Sequence, residues 1–128
     1  MSPFRAATLL LAFSATTPAS ADRGLSLVPS ATQRSIAQRQ NAVFSARLDR
    51  MSTTVDRLEA GGLAAGRIAF LRQDIARVAD MIASAFRLQG WLKPVEERGY
   101  TGMLDQIERK IARAAAERRG TSGAAPRH

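Results

Sequence analysis

Cysteine is missing from this chain, and histidine occurs once, as the last residue, His128. Without thiols there is no disulfide framework, no thiolate zinc site and no cysteine nucleophile. One terminal histidine excludes a multi-histidine metal site and a histidine-based triad within a single chain. Aromatic residues make up only 5%, too few for a platform on which sugars or bases would stack. No apolar run reaches the roughly 20 residues that cross a bilayer as a helix. No segment alternates apolar and polar residues for long enough to read as a strand. Lysine is scarce as well: of 19 basic residues only Lys93 and Lys110 are lysines.

What is present is an ordinary globular balance, 45% hydrophobic and 23% charged over 128 residues, which argues for one small domain. The first 21 residues read as a secretory signal peptide. Arg5 gives a short positive region, Ala6 to Phe13 is apolar, and Ala19-Ser20-Ala21 supplies the small-x-small pattern that precedes cleavage. Cleavage after Ala21 leaves 107 residues, with 18 basic groups against 11 acidic ones. The chain is therefore expected to be exported, to the periplasm or beyond. Residues 22–30 follow as a leader without clear period. Pro29 biases Val28 away from helix, and Ser30 can cap what comes next.

Three amphipathic helices are predicted over 31–119. In the first, from Ala31 to Glu59, the apolar positions are Ile36, Val43, Phe44, Leu48, Met51, Val55 and Leu58. From Phe44 the steps are four, three, four and three, a heptad seam. Gly61-Gly62 stops it. The second helix, Ala64 to Leu88, repeats this spacing through Ile68, Leu71, Ile75, Val78 and Ile82, with Phe86 extending the stripe. Phe70, Met81 and several alanines widen that face, which predicts more than one neighbour. The third helix starts at Pro94, a favoured first position, with Glu96 and Glu97 in the first turn. Its seam is Tyr100, Leu104, Ile107 and Ile111, with Val95 and Met103 beside it. Gly99 and Gly102 weaken it, so a break near Thr101 is the alternative. Residues 120–128 read as a disordered tail. The fold expected is an all-α, three-helix antiparallel bundle. The long first seam either closes within the chain or pairs with a second copy as a homodimer.

The two helix corners look alike. Gly61, Leu63 and Arg67 align with Gly90, Leu92 and Glu96 at a shift of 29 residues. Glycine ends one helix and leucine plugs the corner. The spacing also matches glycine, aliphatic and acid positions of a calcium loop, but the oxygen-bearing positions hold Leu58, Ala60, Ala85 and Arg87, so no calcium site is expected. The arrangement resembles small secreted helical proteins common in alphaproteobacteria, which carry a signal peptide and one or two Gly-x-Leu-[Ser/Thr]-x-x-Glu turns between Arg-rich helices. The resemblance covers roughly Gln40 to Arg113. Ala64 stands where Ser or Thr is usual, and Arg67 where Glu is usual. It implies fold and compartment and adds nothing on chemistry. The Leu-Thr-x-x-Gln motifs of the Spy and CpxP type of periplasmic stress chaperone are absent, so the chain is like those proteins only in size, export, helicity and charge.

The residues for general acid–base work are nearly missing, no Gly-x-Ser-x-Gly elbow occurs, and neither lysine is placed as a dyad base. No enzyme activity, cofactor or metal is expected. What remains is a surplus of positive charge. Arg39, Arg47, Arg50 and Arg57 recur along the first helix, and Arg109, Lys110 and Arg113 crowd the third. Asp105 and Glu117 are spaced to pair with Arg109 and Arg113 at i,i+4. Trp91, the single tryptophan, stands at the second corner either as a core cap or as an anchor. These seven basic residues, with Trp91, are the candidate binding face. Its expected partners are an envelope protein or anionic lipid and lipopolysaccharide, not nucleic acid. The alternatives are a structural coiled-coil dimer built on the Phe44–Leu58 seam, or a chaperone- or stress-sensor-like role.

Overall fold

The computed structural model describes residues 30–123. The signal-peptide segment 1–21, leader residues 22–29 and tail residues 124–128 lie outside the described residues. Three helices follow one another: α1 (Ala31–Ala60), α2 (Ala65–Gln89) and α3 (Pro94–Ser122). There is no strand among the described residues.

Most boundaries have a local cause. The Ser30 hydroxyl accepts the Gln33 N–H at 3.1 Å, and the Gln33 side chain accepts the Ser30 N–H at 2.9 Å. This reciprocal box satisfies two amides that the first turn of α1 would otherwise leave open. At the other end, Gly61, Gly62 and Leu63 donate their N–H groups to Arg57, Glu59 and Leu58 carbonyls. Gly62 turns the chain at φ 90°. Gly61 leaves room for a neighbour: a Cβ there would lie 1.2 Å from the present place of the Arg118 guanidinium, which would have to move aside. The missing side chain lets an α3 cation close over the C-terminal end of α1, where the helix dipole favours positive charge. The α2 helix ends on Gly90 at φ 77°, and α3 starts on Pro94 with the Glu96 carboxylate accepting the Lys93 N–H at 2.9 Å.

The two corners match in their helix starts, Ala65 and Pro94 being 29 residues apart, but not in their glycines. The left-handed residue is Gly62 in the first and Gly90 in the second, so aligning Gly61 with Gly90 does not hold. The break considered near Thr101 does not occur: α3 is continuous through Gly99 and Gly102. A Cβ at either glycine would meet nothing within 4 Å. Gly99→Ala and Gly102→Ala should therefore each stabilise the protein by about 0.5–1 kcal/mol. Gly90→Ala should cost about 1–2 kcal/mol, because alanine resists the left-handed conformation. Thermal melts of the three variants check the opposite signs. The helix also runs past Arg119, so Gly120, Thr121 and Ser122 belong to α3 and not to a disordered tail. The Thr121 hydroxyl donates back to the Glu117 and Arg118 carbonyls at 3.2 and 3.0 Å within this last turn.

The core is the set of predicted seams. Phe44, Met51, Val55 and Leu58 of α1 meet Ile68, Leu71, Ile75, Val78 and Ile82 of α2 and Leu104, Ile107, Ile111 and Ala114 of α3. Leu48, Phe86 and Tyr100 pack partly against them. The α1 seam is closed within the chain, with Val55 fully buried. It does not offer a free face for a second copy, so a substitution such as Leu48→Glu attacks the fold and does not report on a dimer. The plug of the second corner is Leu92, fully buried, beside a half-buried Trp91. Ion pairs link the helices outside the core: Arg72 to Asp56 and Glu59, Lys110 to Asp74 at 2.6 Å, Arg67 to Glu117 at 2.7 Å, and Arg47 to Asp105 and Glu108.

Candidate anion-binding face

Those pairs decide which arginines remain available. Two guanidinium groups, Arg47 and Arg72, hold two carboxylates each. Glu97 accepts from the Gln40 amide, and Glu96 from Gln89 and the Lys93 N–H. The i,i+4 pairs expected on α3 do not form, because Asp105 turns to Arg47 and Glu117 to Arg67. Acids are thus drawn into contacts between helices and shared by few cations. Arg39, Arg50 and Arg57 of α1 and Arg98, Arg109 and Arg113 of α3 are exposed and make no hydrogen bond or ion pair among the described residues.

Helix geometry sorts these cations. Arg39, Arg50 and Arg57 are separated by eleven and seven residues, close to whole numbers of turns, so they stand in line over about 27 Å. Arg98 and Arg109 repeat the eleven-residue step on α3. Arg39 shares a hollow of about 260 Å³ with Ile36, Gln40, Val43 and Glu97 of α3. Arg50 lies near enough to Glu108 of α3 to favour its charged form. The line on α1 therefore borders α3, whose own row is exposed as well.

The eight residues singled out from the sequence do not share one face. Arg39, Arg50 and Arg57 line the edge of α1 that borders α3, and Arg109 is exposed on α3. Arg47 is only 16% exposed and serves as a clamp between those helices. Lys110 is bonded to Asp74, with its ammonium 5.1 Å from the Phe70 ring centroid, and Arg113 lines a hollow with Arg67, Phe70 and Lys110. These two belong to the α2–α3 side. Trp91 sits apart, at the corner. Sequence reading missed Arg98, although its eleven-residue distance from Arg109 is a usable signal.

The Arg47 clamp has an electrostatic consequence. The hydrogen bond from Arg47, aided by its charge, holds the Glu108 carboxyl below the ordinary glutamate range, against a smaller opposing effect of burial. The same partners raise Arg47 further above the range in which it would lose its proton. A carboxyl lowered in the folded state contributes stability at neutral pH that is lost as pH falls through the lowered value. Urea midpoints should accordingly drop between about pH 5 and pH 3. Glu108→Gln should flatten that drop, and an unchanged slope would remove the clamp from the account. The contribution is small, since the pair is part-exposed and screened by solvent.

No three His, Cys, Asp or Glu side chains are grouped to hold a metal ion, and no helix is long and apolar enough to cross a membrane, among the described residues. No family model, no curated protein and no solved structure matches the chain.

Proposed function

We propose that this is an exported, non-enzymatic binding protein of the cell envelope whose α1–α3 arginine surface docks on anionic phosphate groups of lipid or lipopolysaccharide. The observation that carries this reading is the set of five exposed arginines, Arg39, Arg50, Arg57, Arg98 and Arg109, which recur in two rows on α1 and α3 and make no hydrogen bond or ion pair among the described residues. Five arginines in two rows suit an extended surface better than a small ligand, and guanidinium groups bind phosphate oxygens in pairs. Export rests on the Ala19-Ser20-Ala21 pattern after an apolar segment. The bundle is read as antiparallel, up-down-up. In support, Gln40 and Arg47 meet Leu92 and Asp105 in rising order, while Arg67 and Asp74 meet Glu117 and Lys110 in falling order.

The test is cosedimentation of the mature chain, residues 22–128, with vesicles of zwitterionic lipid alone and with added anionic lipid or lipopolysaccharide. Binding only to the anionic vesicles, weakening steeply with salt, supports the reading. Equal binding to both, or none, contradicts it. Capture of an acidic envelope protein in the absence of vesicle binding would favour a protein partner instead.

A further inference from the structure

The side of α2 turned away from the core line carries a second stripe. Phe70, Asp74, Arg77, Met81, Ser84 and Leu88 follow at steps of four, three, four, three and four, the spacing of a helix seam. Ile68 to Ile82, on another line, already serve the chain's own core. Phe70 is 53% exposed and Leu88 87%, and Met81 and Met103 of α3 are also exposed. A groove of about 560 Å³ runs beside this stripe, lined by Arg77, Asp80, Met81, Ser84, Leu88 and Tyr100, among others. The widened face read from the sequence thus exists, but its second neighbour is not within the described residues.

The charges in the stripe indicate what covers it. Asp74 is neutralised by Lys110. Arg77 and Asp80 are exposed and make no hydrogen bond or ion pair among the described residues, although they stand three residues apart. A positive and a negative group, both unpaired and both beside the exposed Met81, are self-complementary. Two copies related by a two-fold axis, with their α2 helices antiparallel about residue 79, satisfy both at once. Phe70 then faces the partner's Leu88. Arg77 packs on the partner's Met81 and reaches the partner's Asp80, so the charges alternate around the axis. An anionic surface fits this stripe poorly, because Asp80 would face it.

We infer that the α2–α3 side is the interface of a homodimer, with Phe70, Met81, Leu88 and Met103 as its apolar contacts and Arg77–Asp80 as reciprocal ion pairs. The arginine surface on α1 and α3 stays free, so the dimer would present it twice. The inference stands whether or not that surface binds phosphate.

Sedimentation velocity of the mature chain over a concentration series tests it through charge reversal. The native protein should reach twice the chain mass. Arg77→Asp and Asp80→Arg should each weaken self-association tenfold or more, since each places like charges together. An equimolar mixture of the two variants should recover the dimer, and so should the double variant R77D/D80R. Circular dichroism checks that each variant keeps its helices, as expected for exposed positions. A native protein that stays at chain mass at its highest soluble concentration overturns the inference. So do single variants that associate like the native protein, or a mixture no heavier than either variant alone.

Discussion

Gln40→Leu should destabilise the bundle by about 2–4 kcal/mol, although leucine is apolar and the site is buried. The reason is a backbone pairing made by a side chain. The Gln40 Oε1 accepts the Leu92 N–H at 2.9 Å, and its Nε2 donates to the Leu92 carbonyl and to Glu97 Oε2, each at 2.9 Å. Leu92 is fully buried at the turn between α2 and α3, so neither of its backbone groups has water as a substitute. Leucine at position 40 would leave both unpaired, and each buried unpaired group costs about 1–3 kcal/mol. A domain of this size should lose roughly 10–25 °C in melting temperature. Gln40→Glu separates hydrogen bonding from size. A carboxylate cannot donate to the Leu92 carbonyl and would face Glu97, so this variant should be at least as unstable at neutral pH. It should recover partly in acid, where a protonated carboxyl can donate. Urea unfolding gives the energies, and amide exchange at Leu92 gives the local effect. A Gln40→Leu midpoint equal to the native one would remove this clamp from the account.

The second prediction concerns binding. Replacing Arg39, Arg50, Arg57, Arg98 and Arg109 by Gln should lower affinity for anionic vesicles by on the order of a thousandfold at low salt, at about 1 kcal/mol for each arginine near the surface. The fold should not change, because none of the five makes a bond within the described residues. The control is charge-matched: Arg87, Lys93 and Arg113 changed to Gln should cost much less affinity than Arg39, Arg50 and Arg57 changed together. Arg47 is left in place in both, since its removal would strand Asp105 and Glu108. Equal loss in the two variants would mean that net charge, and not this surface, drives binding.

The contrast between these residues shows what can be read from a sequence and what cannot. The seams were legible because apolar residues at three and four spacing leave a helix one buried line, and Phe44, Ile75 and Ile107 all lie on theirs. Ser30 and Pro94 marked starts because their roles are local. Gln40 is polar, so an apolar pattern does not include it. Yet stepping back four residues from Phe44 along the seam lands on it, and a glutamine on a buried line signals a group that needs pairing. The fate of the acids was not legible. Asp105 and Glu117 have arginine neighbours at helical spacing, but contacts between helices outcompete them, and only the packed bundle decides that. The single face imagined for Arg47, Lys110 and Arg109 failed for the same reason: adjacent positions on a helix point to different neighbours. The wide apolar face of α2 was visible as composition, but whether the chain itself covers Phe70 and Met81 was not.

The most direct measurement is an arginine footprint. The mature protein is treated with an arginine-selective dicarbonyl reagent, alone and on anionic vesicles, and modification is read site by site by mass spectrometry. The account predicts that vesicles protect Arg39, Arg50, Arg57, Arg98 and Arg109 together, while Arg87 stays as reactive as in the free protein. Protection of Arg87 with the five left reactive, or equal reactivity everywhere, would contradict it.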